Sequence, residues 1–203
     1  MSHASHTPAR RALIIVDLQN DFLAPDGAYA RGGAVGQAAL EVVPRVTEVA
    51  ARLRARGGLV AATRFTLWPD LTGEPMIASH LRALRPFLRR GDFAPGSRGQ
   101  AVLDEIAPLV HASVDKIAYS AFFGTQLEWL LRKNGVTEVV IAGITTNGGV
   151  ASTARDAHVR DLEVTVLSDG CAAPSPDKHE AALADLRSVA TVMSCDALIE
   201  RLG

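Results

Sequence analysis

The amino-acid sequence predicts a single-domain α/β protein: a doubly wound sheet of about six parallel strands with helices on both faces. Three observations carry this expectation. Short, continuous apolar runs alternate with segments of helical periodicity along almost the whole chain. At 203 residues, 48% of them apolar, the chain fits one large domain with an extended core. No internal repeat, low-complexity tract or interdomain linker interrupts the alternation.

The opening residues, MSHASHTPARR, lack an apolar stretch and read as a disordered tail over 1–11, with the domain spanning 12–203. ALIIVD (12–17) is an apolar run closed by a carboxylate, as expected of a strand buried on both faces. Val42, Val46, Val49, Ala50 and Leu53 recur at helical spacing within 35–56, and Gly57-Gly58 stops that helix. LVAATRF (59–65) is the second strand. Pro, Gly and Arg then accumulate over 66–99, an irregular lid or insertion. A short helix near 100–108 leads to a strand around ASVDKIA (112–118) and a helix over 124–135. TEVVIAG (137–143) is the clearest strand, followed by a glycine turn and a helix over 147–160. EVTVLSD (163–169), a helix near 176–188 and ATVMS (190–194) complete the pattern. By analogy with doubly wound folds, the expected strand order is 3-2-1-4-5-6.

In such sheets ligands bind beyond the carboxyl ends of the strands, where the strand order reverses. Asp17 ends the first strand, Lys116 lies at the end of the third, and Gly148-Gly149 follows the fourth. The assumed order places Asp17 and Gly149 across one crevice, with Lys116 long enough to reach in. Each residue alone has a plainer reading: a loop cap, a surface lysine, a glycine that permits close packing. Together, a buried carboxylate beside an ammonium is a proton-transfer pair.

Several function classes are disfavoured. A net charge of -1 gives no reason to expect nucleic acid or an anionic membrane as partner. No apolar run is long enough to span a bilayer. Cys171 and Cys195 are the only cysteines, far apart and without CxxC spacing, which suits a reducing cytoplasm. GGAVGQ (32–37) lacks dinucleotide-binding spacing, and no GxxxxGK[ST] occurs. The six histidines show no paired ligand spacing, so neither a metal nor a cofactor is expected. The basic run LRALRPFLRRGD (81–92) has two readings: a solvated amphipathic helix, or an arginine-bearing lid that meets an anionic substrate.

ALIIVDLQNDF, VDKIAYSAFFGTQLEWLLRKNGV, VVIAGITTNGGVASTARDAHVRDLEVTVLSDGCAA and the later HEAAL together resemble the isochorismatase-like hydrolase superfamily. That group includes nicotinamidases, carbamoylsarcosine and ureidoacrylate amidohydrolases, and isochorismatases. The resemblance covers nearly the whole domain and is weakest over 66–99. It implies a small-molecule substrate and a homodimer or homotetramer. Amidohydrolases of the group use an Asp, a Lys and a Cys, and the first two match Asp17 and Lys116. The Cys is expected immediately before Val150, where this chain has Gly149. Cys171 and Cys195 read as structural.

Two thiol-free chemistries remain open within the resemblance. True isochorismatases also carry a Gly at that position and hydrolyse a vinyl ether, with the Asp as general acid. Their turn usually reads YAH where this chain has TTN (145–147), which argues against isochorismate itself. The other chemistry is amide-type hydrolysis by a water that Asp17 activates as general base. A third reading is a catalytically inactive small-molecule binding or scaffold protein. The resemblance also implies a non-proline cis peptide between Ile144 and Thr145, and backbone N–H groups after the fourth strand aimed at the crevice. Thr145, Thr146, Asn147 and Gly148 are therefore candidates for substrate contact, with helix capping the plainer role for Thr146 and Asn147. Among the aromatics near the mouth (Phe22, Trp68, Tyr119, Phe122 and Phe123), Phe22 and Trp68 are the expected pocket walls.

Overall fold

The computed structural model describes residues 10–202. Residues 1–9 of the expected tail lie outside the described residues. Arg10 and Arg11 do not belong to a tail, because they open the first strand, β1 (Arg10–Val16). Then follow two short helices, α1 (Asn20–Leu23) and α2 (Ala28–Arg31), and the long α3 (Gln37–Ala55). Next come β2 (Leu59–Phe65), α4 (Ser79–Leu84), a 3-10 turn at Ala107–Leu109, β3 (Ala112–Lys116) and α5 (Leu127–Lys133). β4 (Val136–Ile144) runs into a π-helical segment (Thr146–Val150) that continues as α6 (Ala151–His158). β5 (Glu163–Ala172), α7 (Pro176–Leu186), β6 (Thr191–Met193) and α8 (Cys195–Leu202) finish the chain.

The six strands form one sheet in the order β3-β2-β1-β4-β5-β6, every pairing parallel. This is the predicted order, with the reversal between β1 and β4. Alternation along β1 explains the layers. Leu13 and Ile15 pack with Val46, Val49 and Leu53 of α3 and Leu198 of α8. Ala12, Ile14 and Val16 pack on the other face with Leu127, Leu131, Ala154 and Leu186 of α5, α6 and α7. Both faces of the central strands are covered, which is why they read as unbroken apolar runs.

Three local expectations do not hold. The helix near 100–108 is reduced to the 3-10 turn, because tertiary partners take its backbone groups. Asn20 N–H donates to the Ala101 carbonyl (3.0 Å) and Leu103 N–H to that of Leu18 (3.0 Å). β5 extends to Ala172, so Cys171 lies within the strand, paired with Gly143 of β4, rather than beyond it. The chain after β6 forms α8, whose Leu198 joins the core. The 66–99 segment is irregular as expected and carries α4. It is pinned by a small core in which Leu67, Leu88 and Phe93 pack with Ala28.

Candidate active site

Asp17 follows β1 with φ 56°, a left-handed conformation uncommon outside glycine, Asn and Asp. Thr63 on neighbouring β2 holds it there. The Thr63 hydroxyl accepts the Asp17 N–H (3.1 Å) and donates to Asp17 Oδ1 (2.6 Å). Lys116, the last residue of β3, reaches past β2 and places Nζ 2.7 Å from Asp17 Oδ2. The two side chains are only 8% and 1% exposed, so this is a buried ion pair. The ammonium also donates to the Ala118 carbonyl (3.0 Å) and lies 5.6 Å from the Phe65 ring centre.

The rest of the DLQNDF run supports the pair without joining it. The Gln19 amide accepts from Phe65 N–H (2.7 Å) and donates to the Phe65 and Gln100 carbonyls (3.0 and 2.8 Å). Asp21 accepts from Ala28 N–H (3.1 Å) and Phe93 N–H (2.6 Å). These bonds tie the segment after β1 to β2 and to the lid, fixing the approach to the crevice.

Across the strand-order reversal, Gly143 pairs with Val16 and has φ 114°. A side chain there would run into the Val16 backbone, so glycine lets the end of β4 close on β1. The Ile144–Thr145 peptide is cis, as the resemblance implies. The turn then brings Gly149 beside Asp17: a Cβ built on it would stand 3.5 Å from Asp17 Oδ2 and 2.9 Å from Val16 Cγ1. Gly149 is not among the positive-φ glycines. The Gly148 and Val150 N–H groups both donate to the Thr145 carbonyl, so these two close the turn rather than face the crevice.

Asp17, Lys116 and Gly149 line a cavity of about 500 Å³. Phe22 and Thr145 also line it, as expected; Trp68, Thr146, Asn147 and Gly148 do not. Trp68 stands half-exposed on the lid. Thr146 is buried and its hydroxyl bonds His179 Nδ1 on α7 (2.8 Å), while Asn147 is exposed. Neither makes a capping bond at the turn. Gly148 backs onto the Tyr119 ring, on the cavity's margin. Most of the other lining residues are not among the site residues expected from sequence; the polar ones include Tyr29 of α2 and Arg85 at the end of α4. The arginine-bearing lid over 81–92 was the signal that pointed to the second.

Among the described residues no group of three or more His, Cys, Asp or Glu gathers as a metal site would require. Cys171 and Cys195 are buried and free, and burial pushes the Cys171 thiol up to about 12 and that of Cys195 upward as well. No helix among the described residues is long and apolar enough to cross a membrane.

Comparisons with known proteins point to one family. The isochorismatase domain model matches residues 11–197. A "probable inactive nicotinamidase" from Arabidopsis thaliana is 31% identical, with 88% of each chain covered. The ureidoacrylate amidohydrolase of Methylobacterium radiotolerans is 32% identical, over 89% of this chain and 74% of that protein. Among solved structures, an isochorismatase-like hydrolase from Alkaliphilus metalliredigens superposes with a TM-score of 0.79 at 26% identity, covering 96% of this chain and all of that one. A nicotinamidase from Bacillus subtilis gives 0.75 at 27% identity, covering 91% and 100%. With its domain matched almost end to end and its sheet shared with these hydrolases, the chain belongs to the isochorismatase family.

Proposed function

We propose that the protein hydrolyses a C–O or C–N bond of a small molecule, using Asp17 and Lys116 as an acid–base pair. Gly149 then stands where amidohydrolases of the family carry their cysteine, so no covalent intermediate forms. The observation that carries this reading is the 2.7 Å Asp17–Lys116 contact, buried in the wall of a cavity of about 500 Å³. A substrate or water atom near the Gly149 Cβ position lies within reach of Asp17 Oδ2. In amide-type hydrolysis Asp17 takes a proton from the attacking water as its oxygen bonds to the carbonyl carbon. Lys116 offsets the negative charge that develops, and the proton passes to the leaving nitrogen as the C–N bond breaks. In the vinyl-ether case the pair first supplies a proton to the alkene carbon. Water then adds to the cation and returns a proton to the pair, and the hemiketal collapses to a ketone and the alcohol. A screen of vinyl ethers, amides and ureas for turnover that depends on Asp17 tests the proposal.

A second reading is an inactive binding or scaffold protein. The missing thiol at Gly149 favours it, and so does the name of the Arabidopsis relative. The same screen decides between them.

We also propose that the protein assembles as a homodimer or homotetramer. The exposed apolar side chains of Ile117, Phe123 and Trp129 on β3's following loop and α5 support this. Light scattering at micromolar concentration should return two or four times the chain mass of 21.5 kDa. A monomer mass contradicts it.

A further inference from the structure

We infer that Arg85 is the anchor for a carboxylate on the molecule this cavity binds, which makes the substrate class anionic. The inference rests on the proposal that the cavity receives a small-molecule substrate. Arg85 ends α4 on the lid and lines the cavity together with Asp17 and Lys116. Among the charged lining residues, Asp17 and Lys116 compensate each other in their ion pair. Among the described residues no carboxylate pairs with Arg85, so its positive charge is uncompensated in the cavity's described lining.

The guanidinium is held among phenols, with Tyr29 bonded to it and Tyr119 beside it. Its Nε donates to the Tyr29 hydroxyl at 2.7 Å, and Tyr29 is locked against Phe22 and Phe87 at ring separations of 4.8 and 5.1 Å. Its Nη1 is buried and has no hydrogen-bond partner. Arg85 lines the cavity, and a planar carboxylate matches both the charge and the flat hydrogen-bonding geometry of a guanidinium. Much of the rest of the lining is apolar, with Phe22, Phe65, Ile77 and Leu81 among it. The cavity thus suits an apolar body carrying a single anionic end.

A merely structural arginine would hold α4 to α2 through Tyr29 and would be indifferent to ligand charge. Matched probes separate the two roles. Isothermal titration of the full-length protein with 2-naphthoate and with its neutral isostere 2-naphthamide should show the carboxylate binding about tenfold to a hundredfold tighter, the effect of one charge-assisted hydrogen bond. Arg85→Gln should remove that preference while changing 2-naphthamide affinity by less than about twofold, and Arg85→Lys should recover part of it. Equal affinity of the wild-type protein for both probes overturns the inference, as does an absence of 2-naphthoate binding. Equal weakening of both probes in Arg85→Gln overturns it too, because that is the structural outcome. The wild-type comparison does not depend on any variant folding. Titration needs no turnover, so a charge preference without Asp17-dependent hydrolysis would sink the proposed function and leave the anionic site standing.

Discussion

Gly149→Cys should create a thiol that is alkylated at one equivalent near neutral pH, at least tenfold faster than Cys171 or Cys195. The new Cβ would stand 3.5 Å from Asp17 Oδ2, whose other neighbour is the Lys116 ammonium. The segment that carries it opens α6, so the positive end of a helix dipole favours the thiolate. Asp17 opposes this, but its charge is already compensated by Lys116. The existing thiols are poor competitors: both are buried, and Cys171 is held at about 12. The substitution is sterically tight, because the Cβ would approach Val16 Cγ1 to 2.9 Å and the Ile144 carbonyl to 3.2 Å. Since Gly149 has an ordinary φ, the expected cost is an overpacking cost of about 1–3 kcal/mol and not a backbone one. Stoichiometric iodoacetamide labelling followed by mass spectrometry reads the result. A folded variant whose new thiol reacts no faster than Cys195 would show that the crevice lacks the electrostatics proposed for it.

Asp17→Asn should abolish turnover and also lower stability, and the two effects have separate causes. Lys116 is 1% exposed, and Asp17 is its carboxylate partner, so the variant leaves a buried ammonium uncompensated. Breaking a buried pair from one side costs about 3–5 kcal/mol. Asparagine tolerates the left-handed backbone at φ 56° better than alanine would, so the loss reports the charge and not the turn. Chemical denaturation should show the drop, and adding Lys116→Met should restore part of it while activity stays absent. An Asp17→Asn protein as stable as wild type would mean that the pair is not coupled as the geometry indicates.

What could be read in advance divides along physical lines. Strand order and the placement of Asp17 and Lys116 were legible, because buried parallel strands are continuous apolar runs and ligand sites sit at their carboxyl ends. The helix expected near 100–108 does not form, because the backbone of that segment bonds to the segment after β1, a partner that local sequence does not reveal. Tyr29, Arg85 and Trp68 show the limit most clearly. All three lie on short helices or loops whose direction is set by long-range bonds such as Asp21 to Phe93, and sequence distance does not say which of them turn inward. The Thr146 hydroxyl turns neither to a ligand nor to a cap but to His179 on α7, a partner too far along the chain for local spacing to reveal.

The central claim is that Asp17 and Lys116 perform hydrolysis without a thiol. The most direct measurement is turnover of a panel of vinyl ethers, amides and ureas by wild-type and Asp17→Asn proteins at equal folded concentration. At least one compound should be hydrolysed by the wild-type protein, with a loss of about 10²- to 10⁴-fold in the variant. Undiminished hydrolysis by Asp17→Asn, or no hydrolysis of any compound by the wild-type protein, would contradict the account.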